Sequence, residues 1–175
     1  MLKKILLGLA AVLVVLLIVI SLQPSEFKVS RSTVIQAPAG KIFGYVAVLR
    51  DWEKWSPWVK LDPNAKITYE GPASGPGAIM RWEGNSDVGA GSMTLTGGKP
   101  PESIDFRLDF LKPMEGTSTA NFTFVQEGEN TTLTWTMEGH NNFMAKAISL
   151  IFNCEKMVGE QFEKGLASLK ELAEK

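Results

Sequence analysis

The stretch that decides the fold is the last one, residues 141–175, NNFMAKAISLIFNCEKMVGEQFEKGLASLKELAEK. Read at 3.6 residues per turn, Ala147, Leu150, Ile151, Cys154, Met157, Val158, Phe162, Leu166, Leu169 and Ala173 fall on one continuous apolar stripe. Lys146, Glu155, Lys156, Glu160, Glu163, Lys164 and Lys170 fall on the opposite face. Glu160 with Lys164 and Glu171 with Lys175 are i,i+4 pairs in the favourable order. Asn141-Asn142 offers an N-cap. The pattern predicts one long helix running from there, and a stripe of that length needs a partner surface of equal length.

The partner lies upstream. From Lys66 onward the hydrophobic period is two, with candidate strands at Lys66–Glu70, Ala78–Glu83, Gly91–Thr96, Ser103–Leu111, Thr117–Gln126 and Thr131–Glu138. Ile104, Phe106, Leu108 and Phe110 alternate with Asp105, Arg107 and Asp109. Leu133, Trp135 and Met137 alternate with threonines and Glu138. Such alternation puts one sheet face on a core and the other in water. Glu127-Gly128-Glu129-Asn130 is short enough to make the last two strands a hairpin.

An earlier strand is expected at Phe27–Gln36. Pro38 suits a first helical turn, followed by Ile42, Phe43 and Val46 on one face. Asp51 is positioned to cap a second short helix carrying Trp52 and Trp55, which Ser56-Pro57 ends. Trp52, Trp55 and Trp58, at three-residue steps, either seal one end of the core or form an aromatic mouth near lipid headgroups.

Ahead of all this, Ile5 to Leu22 is apolar except for Gly8 and Ser21. At about 1.5 Å per residue the run spans roughly 27 Å, close to a bilayer's hydrocarbon thickness. Lys3 and Lys4 precede it, so the positive-inside rule predicts a single-pass anchor. The N-terminus would be cytoplasmic and the rest extracytoplasmic, in a periplasm or at a cell surface. A cleaved signal is the rival reading. The run exceeds the usual h-region of about 7–15 residues, and no small-x-small site follows it. The expected organisation is an anchor over residues 1–24 and one domain over 25–175.

Composition excludes several functions. Of 175 residues 45% are hydrophobic, and the net charge is −1. Beyond residue 22 there remain 16 basic and 19 acidic residues, a balance of −3 that gives no nucleic-acid footprint. With one cysteine, Cys154, and one histidine, His140, no intrachain disulfide or Cys/His metal set can form. Cys154 falls on the apolar stripe, and His140 reads as a turn residue rather than a general base. No catalytic set, metal or cofactor is predicted. Arg81 with Glu83, and Asp105, Arg107 and Asp109, read as solvated cross-strand ion pairs. Gly71 to Gly77 lacks the Gly-Lys-Ser/Thr of a phosphate loop and reads as a hairpin connection.

Four motifs carry a resemblance. They are Ile35-Gln36-Ala37-Pro38 with Ile42-Phe43; Trp52-Glu53-Lys54-Trp55-Ser56-Pro57-Trp58; Tyr69-Glu70-Gly71 through Gly75-Pro76-Gly77-Ala78; and Gly159-Glu160-Gln161-Phe162-Glu163-Lys164-Gly165-Leu166. With the element order, these make residues 27–175 resemble the START-related superfamily of polyketide cyclases, birch-pollen-allergen-like ligand binders and ribosome-associated toxins. The nearest branch is the polyketide cyclase-like, or SRPBCC, one. The resemblance implies an α+β helix-grip fold: a curved antiparallel sheet of about seven strands wrapped around a long C-terminal helix, here with one N-terminal transmembrane helix. It further implies that ligands enter a cavity between sheet and helix. The inward faces then offer Trp82, Phe106, Leu108, Phe110, Phe122, Phe124, Trp135 and Met137, and the helix offers Ile151, Met157, Val158 and Phe162. The alternative is that these side chains simply fill a core.

Three functions follow as expectations. The first is a membrane-anchored binding module for a hydrophobic small molecule or lipid. The second is a polyketide cyclase- or hydratase-like enzyme, which a buried charged residue in the cavity would favour. The third is an interaction module without a cavity above about 300 Å³, the lower size of ordinary pockets, working through exposed tryptophans.

Overall fold

The computed structural model describes residues 2–175. Helix α1, Leu2–Ser21, is apolar all round after Lys3 and Lys4 and, apart from Ile20, exposed along its length. Its length and composition suit a membrane span or a signal sequence. After a short linker come β1 (Glu26–Ile35), α2 (Ala39–Ala47), a 3₁₀ turn at Leu49–Asp51, α3 (Trp52–Trp55) and α4 (Pro57–Leu61). Then come β2 (Lys66–Glu70), β3 (Ile79–Glu83), β4 (Ala90–Lys99), β5 (Ser103–Lys112), β6 (Gly116–Glu127) and β7 (Asn130–His140). The chain ends in α5 (Phe143–Ser149) and α6 (Cys154–Ala173).

All seven strands join one antiparallel sheet in the order β1-β7-β6-β5-β4-β3-β2. The first strand therefore closes against the last, and everything between is a meander. The β4–β5 register shifts at Ala90/Gly91 and at Leu95/Gly97, and bulges of this kind bend and twist a sheet. Across the concave side lies α6, whose Phe162, Leu166, Leu169 and Ala173 are buried against Ile35, Ile42, Phe106, Phe122 and Leu133. The expected helix-grip architecture is borne out.

Two glycines let α6 approach. A Cβ on Gly165 would sit 3.1 Å from both Pro57 Cδ and Trp135 Cζ3. A Cβ on Gly159 would collide with the Arg31 guanidinium, which reaches over it to Glu155 and Glu163. Both glycines thus serve close packing of helix on sheet.

Four local expectations need correction. The C-terminal helix is not continuous. It breaks after Ser149, because the Asn153 side chain accepts from Lys156 N (3.0 Å) and caps a new helix, as Asn142 caps α5 through Ala145 N (2.9 Å). Asparagine bonding its own backbone competes with helix continuation. Cys154, the first residue of α6, is consequently exposed rather than core. Asp51 does not cap α3: it is helical itself, and its carboxylate takes the Lys54 ammonium at 2.6 Å. Arg81 and Glu83 make exposed cross-strand pairs as expected, with Glu70 and Lys112, but Arg107 pairs within its own strand, with Asp109, rather than across the sheet.

Candidate ligand-binding site

Between sheet and helices lies a partly enclosed cavity of about 190 Å³. Its floor is the inward side of the sheet: Ile67, Met80, Trp82, Met93, Leu108, Phe110, Ala120, Trp135 and Met137. The helices close it with Trp52, Ser56, Trp58 and Val59 on one side and Val158 and Phe162 on the other. Among the lining residues only Glu53 is charged, and it is exposed.

Strand register fixes where the cavity sits. Phe110 pairs with Gly116 at the end of β5, Trp82 pairs with Gly91 near the end of β3, and Met137 precedes Gly139, which pairs with Phe27. That edge of the sheet is the one at which β1 leaves α1. The opposite half holds Ile35, Ile104, Phe124, Leu133 and Leu169, each at most 4% exposed and packed solid. The void therefore occupies the α1-proximal half. Gly91 helps shape it, since a Cβ there would lie 2.6 Å from Trp82 Cζ2.

Trp135 dominates the wall. It stacks on Phe162 at 3.9 Å and 6°, and on Phe122 at 4.8 Å and 28°. Trp52, Trp55 and Trp58 meet it edge-on. The neighbouring indoles donate to backbone oxygens: Trp52 Nε1 to Val46 (2.9 Å), Trp55 Nε1 to Tyr45 (3.2 Å) and Trp82 Nε1 to Val88 (3.3 Å). Trp135 Nε1 is buried and has no partner among the described residues. An unpaired buried donor costs about 1–3 kcal/mol. It is the polar atom of this apolar site whose hydrogen bond is unmade. Glu53 is engaged elsewhere, accepting from Tyr69 Oη at 2.5 Å, while the Arg50 guanidinium lies 4.3 Å above the Tyr69 ring. Burial, helped by the Glu53 carboxylate, pushes the Tyr69 phenol well above its ordinary pKa.

Of the residues expected to line a cavity, Trp82, Leu108, Phe110, Trp135, Met137, Val158 and Phe162 meet at this one. Phe106, Phe122 and Phe124 are buried in the close-packed core and do not border the void. Ile151 and Met157 do not face the interior: they are 78% and 58% exposed, Ile151 because it precedes the break before α6, and Met157 because it lies about 140° round α6 from Phe162. Trp52 and Trp55 are core, at 4% and 1% exposure, so they seal the fold rather than present themselves to a partner. Sequence reading missed Met80 and Met93, each two residues from an inward neighbour and so marked by strand period alone. His140 ends β7 in solvent, 3.7 Å from Glu26.

A curved antiparallel sheet gripping a C-terminal helix over an apolar cavity defines a helix-grip ligand-binding fold. The chain belongs to the family described as polyketide cyclase / dehydrase and lipid transport, whose model matches residues 26–174. No curated protein matches it in sequence. Among solved structures it is similar to protein CV1439 from Chromobacterium violaceum, at TM-score 0.61 and 15% identity over 87% of this chain and 99% of that one. The di-domain aromatase/cyclase BexL gives 0.61 and 16% over 90% of this chain and 53% of its own length. Ara h 8.0201 gives 0.59 and 10%, over 85% and 97%. At these identities the likeness is one of fold.

Proposed function

We propose that this protein is a membrane-anchored binding module that holds a small apolar molecule, or the apolar part of a lipid, in the cavity between β-sheet and α6. The observation that carries the reading is the void itself: apolar, walled by aromatics and methionines, and lined by no buried charge among the described residues. Methionine and aromatic walls adapt to varied apolar shapes. The family description, which includes lipid transport, supports the same reading.

Size narrows the ligand class. At about 190 Å³ the cavity is smaller than the roughly 300 Å³ of ordinary drug-sized pockets, so volume alone does not separate a binding module from a filled core. It exceeds the ~150 Å³ that accepts benzene in an engineered protein cavity. A single ring or a short stretch of acyl chain fits. Against the enzyme reading, the described lining offers no acid–base pair, and Glu53 stands exposed and bonded to Tyr69. Against the interaction-module reading, Trp52 and Trp55 are buried.

The anchor is α1, inserted with Lys3 and Lys4 on the cytoplasmic side and residues 25–175 on the other. The test is native mass spectrometry of the full chain ejected from lipid nanodiscs. One retained apolar molecule per chain is expected, and protein that emerges bare under gentle activation refutes the reading.

A further inference from the structure

The connection between β7 and α6 is apolar where a soluble loop would be polar. Phe143, Met144, Leu150, Ile151, Phe152 and Met157 are all exposed, and α5 buries none of its residues. Between Phe143 and Asn153 the chain carries one charge, Lys146. Single exposed apolar residues are ordinary, but six within fifteen positions form a patch that calls for a partner. A seven-residue helix that buries nothing gets little stability from its own turns.

The fold says what the partner is. α5 touches α1, and Lys146 Nζ lies 3.5 Å from Ser21 O, at the last residue of α1. Asn141 N donates to Ser25 O at 2.7 Å, and Asn141 Nδ2 reaches Pro24 O at 3.5 Å, so the linker is stapled to the same corner. Where α1 leaves the hydrocarbon, α5 lies beside it. The cations of residues 143–157, Lys146 and Lys156, outnumber their one acid, Glu155, which is paired with Arg31, and suit anionic lipid headgroups. The patch also borders the cavity: Met157 is followed by Val158, and β7 contributes Met137 just before the connection starts.

We propose that residues 143–157 lie in the headgroup layer of the bilayer that holds α1, and form the rim across which an apolar ligand passes between lipid and cavity. The inference rests on reading α1 as a membrane span. Segments of this kind settle about 5–10 Å into the headgroup–acyl boundary.

The chain supplies its own probe. Cys154 is the sole cysteine, is exposed, and lies between Phe152 and Met157. The full chain, labelled there with an environment-sensitive fluorophore, is reconstituted in phosphatidylcholine/phosphatidylglycerol vesicles carrying a doxyl quencher high on the acyl chain. The control is Glu129→Cys in a Cys154→Ser background. Glu129 lies in the β6–β7 turn at the far end of β7, roughly 35 Å away at the usual strand rise. Quenching several-fold stronger at position 154 than at 129 is expected. The exposed-site double variant Ile151→Glu/Phe152→Glu should bring the Cys154 label down to the control level while the chain still floats with vesicles. Flotation without preferential quenching at 154 overturns this inference and leaves the anchor standing. A chain that does not float overturns both. Protection of Cys154 by a second copy, without lipid quenching, overturns the inference in favour of a dimer contact.

Discussion

Filling the cavity separates a binding site from an accident of packing. Ala120 is 4% exposed, pairs with Phe106 and Met137 in the sheet, and lines the void. Ala120→Leu adds three carbons. A ~150 Å³ cavity holds benzene's six carbons, so three claim on the order of 75 Å³. That takes more than a third of the 190 Å³ present and leaves too little for a ring. Burying three carbons gains up to about 2.4 kcal/mol at ~0.8 kcal/mol each. Overpacking returns about 1–3 kcal/mol. Stability should therefore stay within about 2 kcal/mol of wild type, while affinity for a one-ring or short-chain apolar ligand falls at least about tenfold, ~1.4 kcal/mol. The assay pairs thermal unfolding with titration of an apolar fluorophore into the full chain in nanodiscs. An Ala120→Leu protein that melts as wild type and binds with undiminished affinity would refute the assignment of this cavity as the site.

The two helix glycines make a matched pair. Gly159→Ala gains about 1 kcal/mol of helix propensity but must push the Arg31 guanidinium off Glu155 and Glu163, exposed pairs of little individual worth, so it should be near neutral, whereas Gly165→Ala presses on Pro57 and Trp135 and should lose about 1–2 kcal/mol. Chemical denaturation that ranks Gly165→Ala the more stable contradicts the close contact of α6 with Pro57 and Trp135. Trp135→Phe removes an unpaired N–H and recovers about 1–3 kcal/mol of desolvation, so without ligand it should cost less than Trp55→Phe, which breaks the bond to Tyr45 O; equal costs in urea melts would show that Trp135 Nε1 is not orphaned. Tyr69 gives a pH signature. Its folded pKa is raised, so its stabilising share is fully present below the free-tyrosine value and fades as pH climbs through the folded one. In Tyr45→Phe, where Tyr69 is the remaining tyrosine, phenolate absorbance should be nearly absent at pH ~10, the midpoint of a free phenol, and half-ionisation there would contradict the burial of its hydroxyl beside Glu53.

Period carries most of the fold. Strands could be read from alternation and turn residues where one face is wet, as Ser103–Lys112 shows with Ile104 and Phe106 buried against Asp105 and Arg107, whereas Ala90–Met93 of β4 are buried on both faces. Seven of the twelve predicted lining residues meet at the void for the same reason. Period fails where a competing local bond decides. Ile151 keeps step with Phe162, eleven residues on, yet Asn153 ends the stripe by capping α6, while Met157, five residues before Phe162, falls about 140° round the same helix from it. It fails again at Phe106, Phe122 and Phe124, which face inward as expected. Whether an inward face meets a void or a neighbour depends on what crosses from the other side of the fold.

The break in the C-terminal helix lies at the same end of the fold as the void. A helix continuous from Asn142 would carry Ala147, Leu150 and Ile151 on past the α1-proximal end of β1, beside Phe27 and Met137. Met137 lines the void, so those side chains would narrow it. By capping at Asn153 the chain withdraws them, leaves the cavity to be closed by α3, α4 and the start of α6, and delivers the withdrawn side chains to the corner where α1 emerges. The cost is apolar surface turned toward water. It is offset only if that corner meets lipid, so the same substitution that rejoins the helix should both narrow the cavity and loosen the membrane contact. Asn153→Leu is that substitution. It removes a cap worth about 1 kcal/mol to α6 and restores the stripe. If ligand uptake and lipid quenching at Cys154 fall together in Asn153→Leu, the two features share one cause; if one falls without the other, they do not.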